Sequence, residues 1–200
     1  MGTKLVQAVK FLLFLVLIPL IVGMTVAFVR QVAGLTEGQY LYFVWGMASY
    51  LILHFFVYEP EPVYRYGKSL VADVFRFLDP LVEVAPLVLP IYSIVFLILF
   101  YFTSFFFKEI DLSHYYLFLI SFTFAMHMIF TARDLRAQDQ MAFKPNYFFS
   151  IALVYVINVV IIALMLNLIF PTFSFVEFFK KTSQISSSMY GTTFKQLFVP

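Results

Sequence analysis

The sequence predicts an all-α polytopic membrane protein, with about five transmembrane helices and one short amphipathic or re-entrant helix. Three observations lead there. The 200 residues are 62% hydrophobic and 12% charged, whereas soluble domains are about half apolar and about a quarter charged. The 28 Phe and 13 Tyr exceed what a globule of this size can hide, since it buries only roughly 70% of its surface. The apolar residues are also grouped in runs near the roughly 20 residues that a helix needs to cross hydrocarbon.

The first run, 11–29, is bounded by Lys10 and Arg30. It is longer than the roughly 7–15 residues of a signal-peptide core and no small-x-small cleavage site follows, so it reads as a retained helix. Pro19 and Gly23 inside it are tolerable in a membrane helix. The second span is 40–58, with aromatic residues of the interfacial kind at both ends. The third, 84–107, carries Pro86 and Pro90 in its first two turns, where missing amide donors cost least or produce a kink. The fourth runs over about 112–132 and stops at Arg133. The fifth covers 147–170 and stops at Pro171. With no internal repeat and no long linker, residues 1–171 read as a single transmembrane domain. Residues 172–200 read as a tail that opens with the anchor-like FSFVEFFKK and continues as polar SQISSSMYGTT, mobile unless a partner orders it.

Between the second and third spans, Pro60 and Pro62 break the helix and residues 63–78 become amphipathic. Arg65, Lys68, Ser69, Ala72 and Arg76 share one face by three- and four-residue spacing. Leu70, Val71, Val74, Phe75, Phe77 and Leu78 are expected on the other. Five spans put Lys4, Lys10, Arg65, Lys68, Arg76, Arg133, Arg136 and Lys144 on one side of the membrane. Arg30, Lys108, Lys180, Lys181 and Lys195 fall on the other. Eight against five places the N-terminus in the cytoplasm, and the expected location is a bacterial cytoplasmic membrane.

A net charge of +2 gives no reason to expect a nucleic-acid partner. The absence of cysteine excludes disulfides, thiolate nucleophiles and Cys-ligated metal centres. Intramembrane polar residues are default functional candidates: His54, His127, Asn158 and Asn167, with Tyr50, Tyr92 and Tyr155 as helpers. The plain reading of the two histidines and Asn158 is hydrogen bonding to neighbouring helices. No cofactor is expected, since metal sites need three or more protein ligands and no carboxylate lies inside a strong span.

Zinc peptidases that act inside membranes carry H-E-x-x-H on a helix, with two ligands on one face and a glutamate that activates the bound water. The stretch HFFVYEPEPVYRYGKSLVADV, with LVEVAPLVLPIYSIVFLI and FAMHMIFTARDLRAQDQ further on, resembles the layout of site-2-protease-like integral-membrane zinc metallopeptidases. The resemblance covers about residues 5–180. It implies a degenerate member: Lys68 stands at the first metal-histidine position, Ser69 at the general-base position and Ala72 at the second histidine. Asp139 matches a third ligand that alone holds no metal. The implied protein is not an enzyme but a non-catalytic membrane subunit, scaffold or adaptor of a larger complex. The weighed alternatives are a small transporter or lipid-handling component and, third, an intramembrane peptidase. Arg65, Lys68 and Arg76 are the candidate contacts to partner subunits or membrane lipids, with a snorkelling helix face as the plain reading. A Lys68–Ser69 dyad is disfavoured, because adjacent helical side chains diverge by about 100°.

Overall fold

The computed structural model describes residues 2–78, 82–138 and 145–198. Among them lie eight helices: α1 (Gly2–Ala33), α2 (Glu37–Phe56), α3 (Glu61–Val74), α4 (Ala85–Val88), α5 (Ile91–Phe106), α6 (Ser113–Gln138), α7 (Pro145–Ile169) and α8 (Phe175–Phe198). The all-helical class is as expected, but the span count differs. Only α1, α6 and α7 are long and apolar enough to cross a membrane unaided, and α2 with α3 makes a fourth if that bent pair counts as one. Three long apolar helices are compatible with an integral membrane protein. Five crossings are not delivered by length and composition.

The third expected span is where the difference arises. Pro90 has no amide donor and drives its predecessor out of the helical region, and Leu89 accordingly adopts φ −93°, ψ 115°. The run therefore splits into α4 and α5, and the 16 residues of α5 reach only about 24 Å at 1.5 Å per residue. The α2–α3 pair bends by 119°. Pro62 falls in the first turn of α3, where a missing N–H leaves nothing unsatisfied, so the break lies at residues 57–60.

The chain divides into two compact units, Leu35–Asp134 and Met1–Gly34 with Leu135–Pro200. In the first, α2 and α6 approach closely at Gly46, where a Cβ would collide with the Phe118 carbonyl and the Ser121 hydroxyl. Tyr50, Tyr64, Ala125, Met126 and Phe130 form the adjoining core. Ser93 of α5 is fully buried and shares a 3.0 Å hydrogen bond with Thr123 of α6. Asp111 accepts from the Ser113 amide at 2.9 Å in a turn ahead of α6.

In the second unit, α1 is joined to α7 by Lys10 donating to Asn146 (2.8 Å) and by a 2.7 Å bond between the Thr25 and Tyr155 hydroxyls. These contacts make α1 and α7 run in the same direction. The expected mobile tail is instead α8, antiparallel to α1. Its start is fixed three times over. Ser174 accepts from the Glu177 amide, Asn167 accepts from the Phe175 amide, and Gln31 exchanges two hydrogen bonds with the Ser174 backbone. Phe178, Thr182 and Ser186 are buried at i, i+4 spacing. Gly23 makes room on α1, for a Cβ there would strike the Ser186 hydroxyl. The Ser186 hydroxyl donates to the Pro19 carbonyl and the Tyr190 hydroxyl to that of Val16. These carbonyls flank the position where Pro19 lacks an N–H, so α8 supplies donors near a weakened stretch of the α1 ladder.

Candidate functional site: an ion-paired cluster on α3 and α6

The residues singled out by the sequence on α3 do not share one environment. The inward face of α3 is Tyr64, Gly67 and Val71, spaced i, i+3, i+7. Gly67 permits the contact, since a Cβ there would come within 2.5 Å of the Tyr92 ring. Lys68 lies beside this face and is half-buried, whereas Arg65, Ser69 and Arg76 are exposed and Ala72 is intermediate. Leu70, Val74, Phe77 and Leu78 are also exposed. The expected two-faced helix is therefore a three-faced one. One stripe meets protein, one is polar (Arg65, Ser69), and one is apolar and outward (Val63, Tyr66, Leu70, Val74), while Arg76 falls in the turn beyond the helix.

Lys68 turns toward α6 and pairs with Asp134 at 2.6 Å. The Tyr64 hydroxyl donates to the same carboxylate oxygen (3.4 Å) and lies 3.3 Å from the Thr131 hydroxyl, while its ring stacks on Phe130 at 4.9 Å between centroids. A turn away, Arg133 spans Glu59 and Glu61 and sits over the Phe130 ring at 5.3 Å. Arg65 holds the remaining Glu61 oxygen. The break between α2 and α3 is thus clamped to α6 by a ladder of charge pairs. In a largely apolar chain such a ladder belongs where water can solvate its outer members.

This arrangement positions helices more readily than it reacts. The Lys68 ammonium is engaged by a carboxylate, and Ser69 points away from it into the open. Among the described residues no group of three His, Asp or Glu could hold a metal ion. Asp139 lies outside the described residues. The sequence offers Lys68 as a contact to partner subunits or membrane lipids. Its partner is Asp134, whose position one helical turn beyond Phe130 on α6 was not singled out from the sequence.

The intramembrane polar residues divide in a similar way. His54 contacts the Tyr50 hydroxyl (3.4 Å) and lies 3.9 Å from Glu59. His127 is 5% exposed, and its Nε2 has no hydrogen-bond partner. It lines a narrow pocket with Tyr64, Lys68, Tyr92, Thr123 and Met126, with room for about one water molecule. Asn158 is fully buried and donates to the Val154 carbonyl of its own helix, leaving its Oδ1 unpartnered. The His127 ring meets the Leu87 backbone of α4, as expected of a histidine that bonds a neighbouring helix, whereas Asn158 bonds only within its own helix. The hydroxyls of Tyr155, Tyr92 and Ser93 also join helices.

No family model matches the chain, and neither a curated protein nor a solved structure matches it significantly.

Proposed function

We propose that this chain is a non-catalytic integral membrane subunit, a scaffold or adaptor of a larger assembly in a bacterial cytoplasmic membrane, with its N-terminus on the cytoplasmic side. The observation that carries the reading is the use made of Lys68. The residue at the centre of the charged stretch is spent on an ion pair with Asp134 that fixes α3 to α6, with Ser69 and Ala72 offering no chemistry beside it. The likeness to zinc peptidases rests on the residues quoted above and is kept here as part of the proposal: a peptidase-like bundle in which Lys68, at the first metal position, now holds two helices together.

The orientation has further support in α8. Tyr190 meets Val16, so Lys195, about 7.5 Å further along the helix, lies level with the Lys10 end of α1. Lys195 thus joins Lys10 on the side that the positive-inside rule assigns to the cytoplasm.

The test is extraction of a tagged chain from its own membranes in two mild detergents, with zinc content and co-purifying proteins quantified together. A partner at a constant molar ratio in both detergents, with no stoichiometric zinc, is the expected result. Stoichiometric zinc together with peptide hydrolysis would contradict it.

A further inference from the structure

α8 presents three distinct stripes along its length. Phe178, Thr182 and Ser186 face α1, and Val176, Phe179, Phe194 and Leu197 form an exposed apolar stripe. The third stripe, 177, 180–181, 184, 187–188, 191 and 195, is polar and exposed apart from the half-covered Lys181. It recurs at intervals of three and four, so it is one continuous face of the helix.

The depth of this face gives it meaning. Ser186 meets Pro19 and Tyr190 meets Val16, near the middle of the 5–33 segment that is long and apolar enough to cross a membrane. Gln184, Ser187 and Ser188 therefore lie at the level of hydrocarbon. A serine hydroxyl can return its proton to a carbonyl of its own helix, but the outward carboxamide of Gln184 has no such recourse and lipid tails offer it nothing. Toward the Gln31 end, Lys180 and Lys181 face outward with one nearby acid, Glu177, 3.5 Å from Lys180. With Lys195 the stripe holds three lysines against one glutamate. A second copy docked in parallel through this face would set lysine against lysine, which is unfavourable.

We propose that the polar stripe of α8 is the docking surface for a transmembrane helix of a different subunit, one that offers hydrogen-bonding side chains opposite Gln184 and a carboxylate within reach of Lys180 or Lys181. This rests on the subunit reading above and specifies the face it uses. Close approach is possible at Gly191, where an added Cβ would meet nothing within 4 Å, and small residues are what membrane helix interfaces employ.

The chain has no cysteine, so single cysteines at 188 and 195, seven residues apart on the same face, with 179 and 197 as controls on the apolar stripe, can carry a benzophenone maleimide in native membranes. The expected result is one crosslinked partner, identical for S188C and K195C and absent for F179C and L197C. Crosslinking to lipid, to a second copy or to residues 35–134 of the same chain would overturn the proposal. So would rapid labelling of S188C by a membrane-impermeant maleimide, which would mark a water-lined path. A second arm uses G191L, whose side chain enters open space, so the isolated chain should keep its thermal midpoint while partner retention falls at least tenfold. If wild type retains a partner that G191L also retains, the α8 site is wrong and the subunit reading stands. If wild type retains none, both fall.

Discussion

At the residue scale, the side chains that matter most are the half-buried pair Lys68–Asp134 and the small residues that let helices meet. The pair is less exposed than an ordinary surface ion pair, which contributes up to about 1 kcal/mol, and less buried than those whose disruption costs 3–5 kcal/mol. Lys68→Ala should therefore destabilise the protein by about 1–3 kcal/mol. In a double-mutant cycle, Asp134→Ala should add little to it, because the partner is already gone. Gly46→Ala places a Cβ against the backbone carbonyl of Phe118, which cannot rotate away, and should cost about 1–3 kcal/mol. Gly191→Ala meets nothing and should leave the isolated chain unchanged or up to about 1 kcal/mol more stable through helix propensity. The unpartnered atoms predict the opposite sign. Asn158→Leu removes a buried carboxamide oxygen that has no partner and should be neutral or stabilising, by up to about 2 kcal/mol. Chemical denaturation in detergent distinguishes these outcomes. A large loss of stability in Asn158→Leu would show that the carboxamide is held by a group that the described contacts do not include.

At the element scale, the sequence was most legible where one period dominates. α2, α6 and α7 start within three residues of expectation and α1 nine residues early, because long apolar runs bounded by charge admit one reading while a helix can run on past the charge that bounds its apolar run. α5 was misjudged in length although its cause, Pro90, was in view: a proline tolerated as a kink in one helix ends another, depending on whether the freed carbonyls find donors. α8 was misread for a different reason. Its serines and threonines suggested mobility, yet Ser174 and Glu177 form the S-x-x-E pattern of a helix start, and Phe178, Thr182 and Ser186 share a face. That signal was available, whereas the hydroxyl-to-carbonyl bonds at Val16 and Pro19 were not, since they depend on which helix lies alongside. For α3, the periodicity revealed a helix but could not decide which of two apolar stripes faces protein. The Asp111 turn before α6 carries the one pH prediction. Hydrogen bonds from Ser113, with a smaller effect of the nearby His114, lower the Asp111 carboxyl below its usual value. Its contribution is therefore present above the ordinary aspartate pKa of about 3.9 and is lost as pH falls through the lowered one. Asp111→Asn should lower stability slightly near neutrality and flatten the acid limb of the stability–pH curve, so that it differs least from wild type at the lowest pH.

At the scale of the whole molecule, helices long enough to span a membrane are combined with polar groups used chiefly to join helices to one another. Asp134, Arg133 and Glu61 clamp the α2–α3 break, and Ser186 and Tyr190 attach α8 to α1. Among the described residues, none of these clusters brings together a nucleophile, a base and a metal site. Such an arrangement suits a subunit whose task is to present surfaces, and the polar stripe on α8 is the surface whose composition most needs cover. The most direct measurement is the native mass of the particle released from its own membranes into lipid nanodiscs. The account predicts a defined complex in which the 23.3 kDa chain is present at fixed copy number beside at least one different polypeptide. A particle containing only this chain, alone or as a small homo-oligomer, would contradict it.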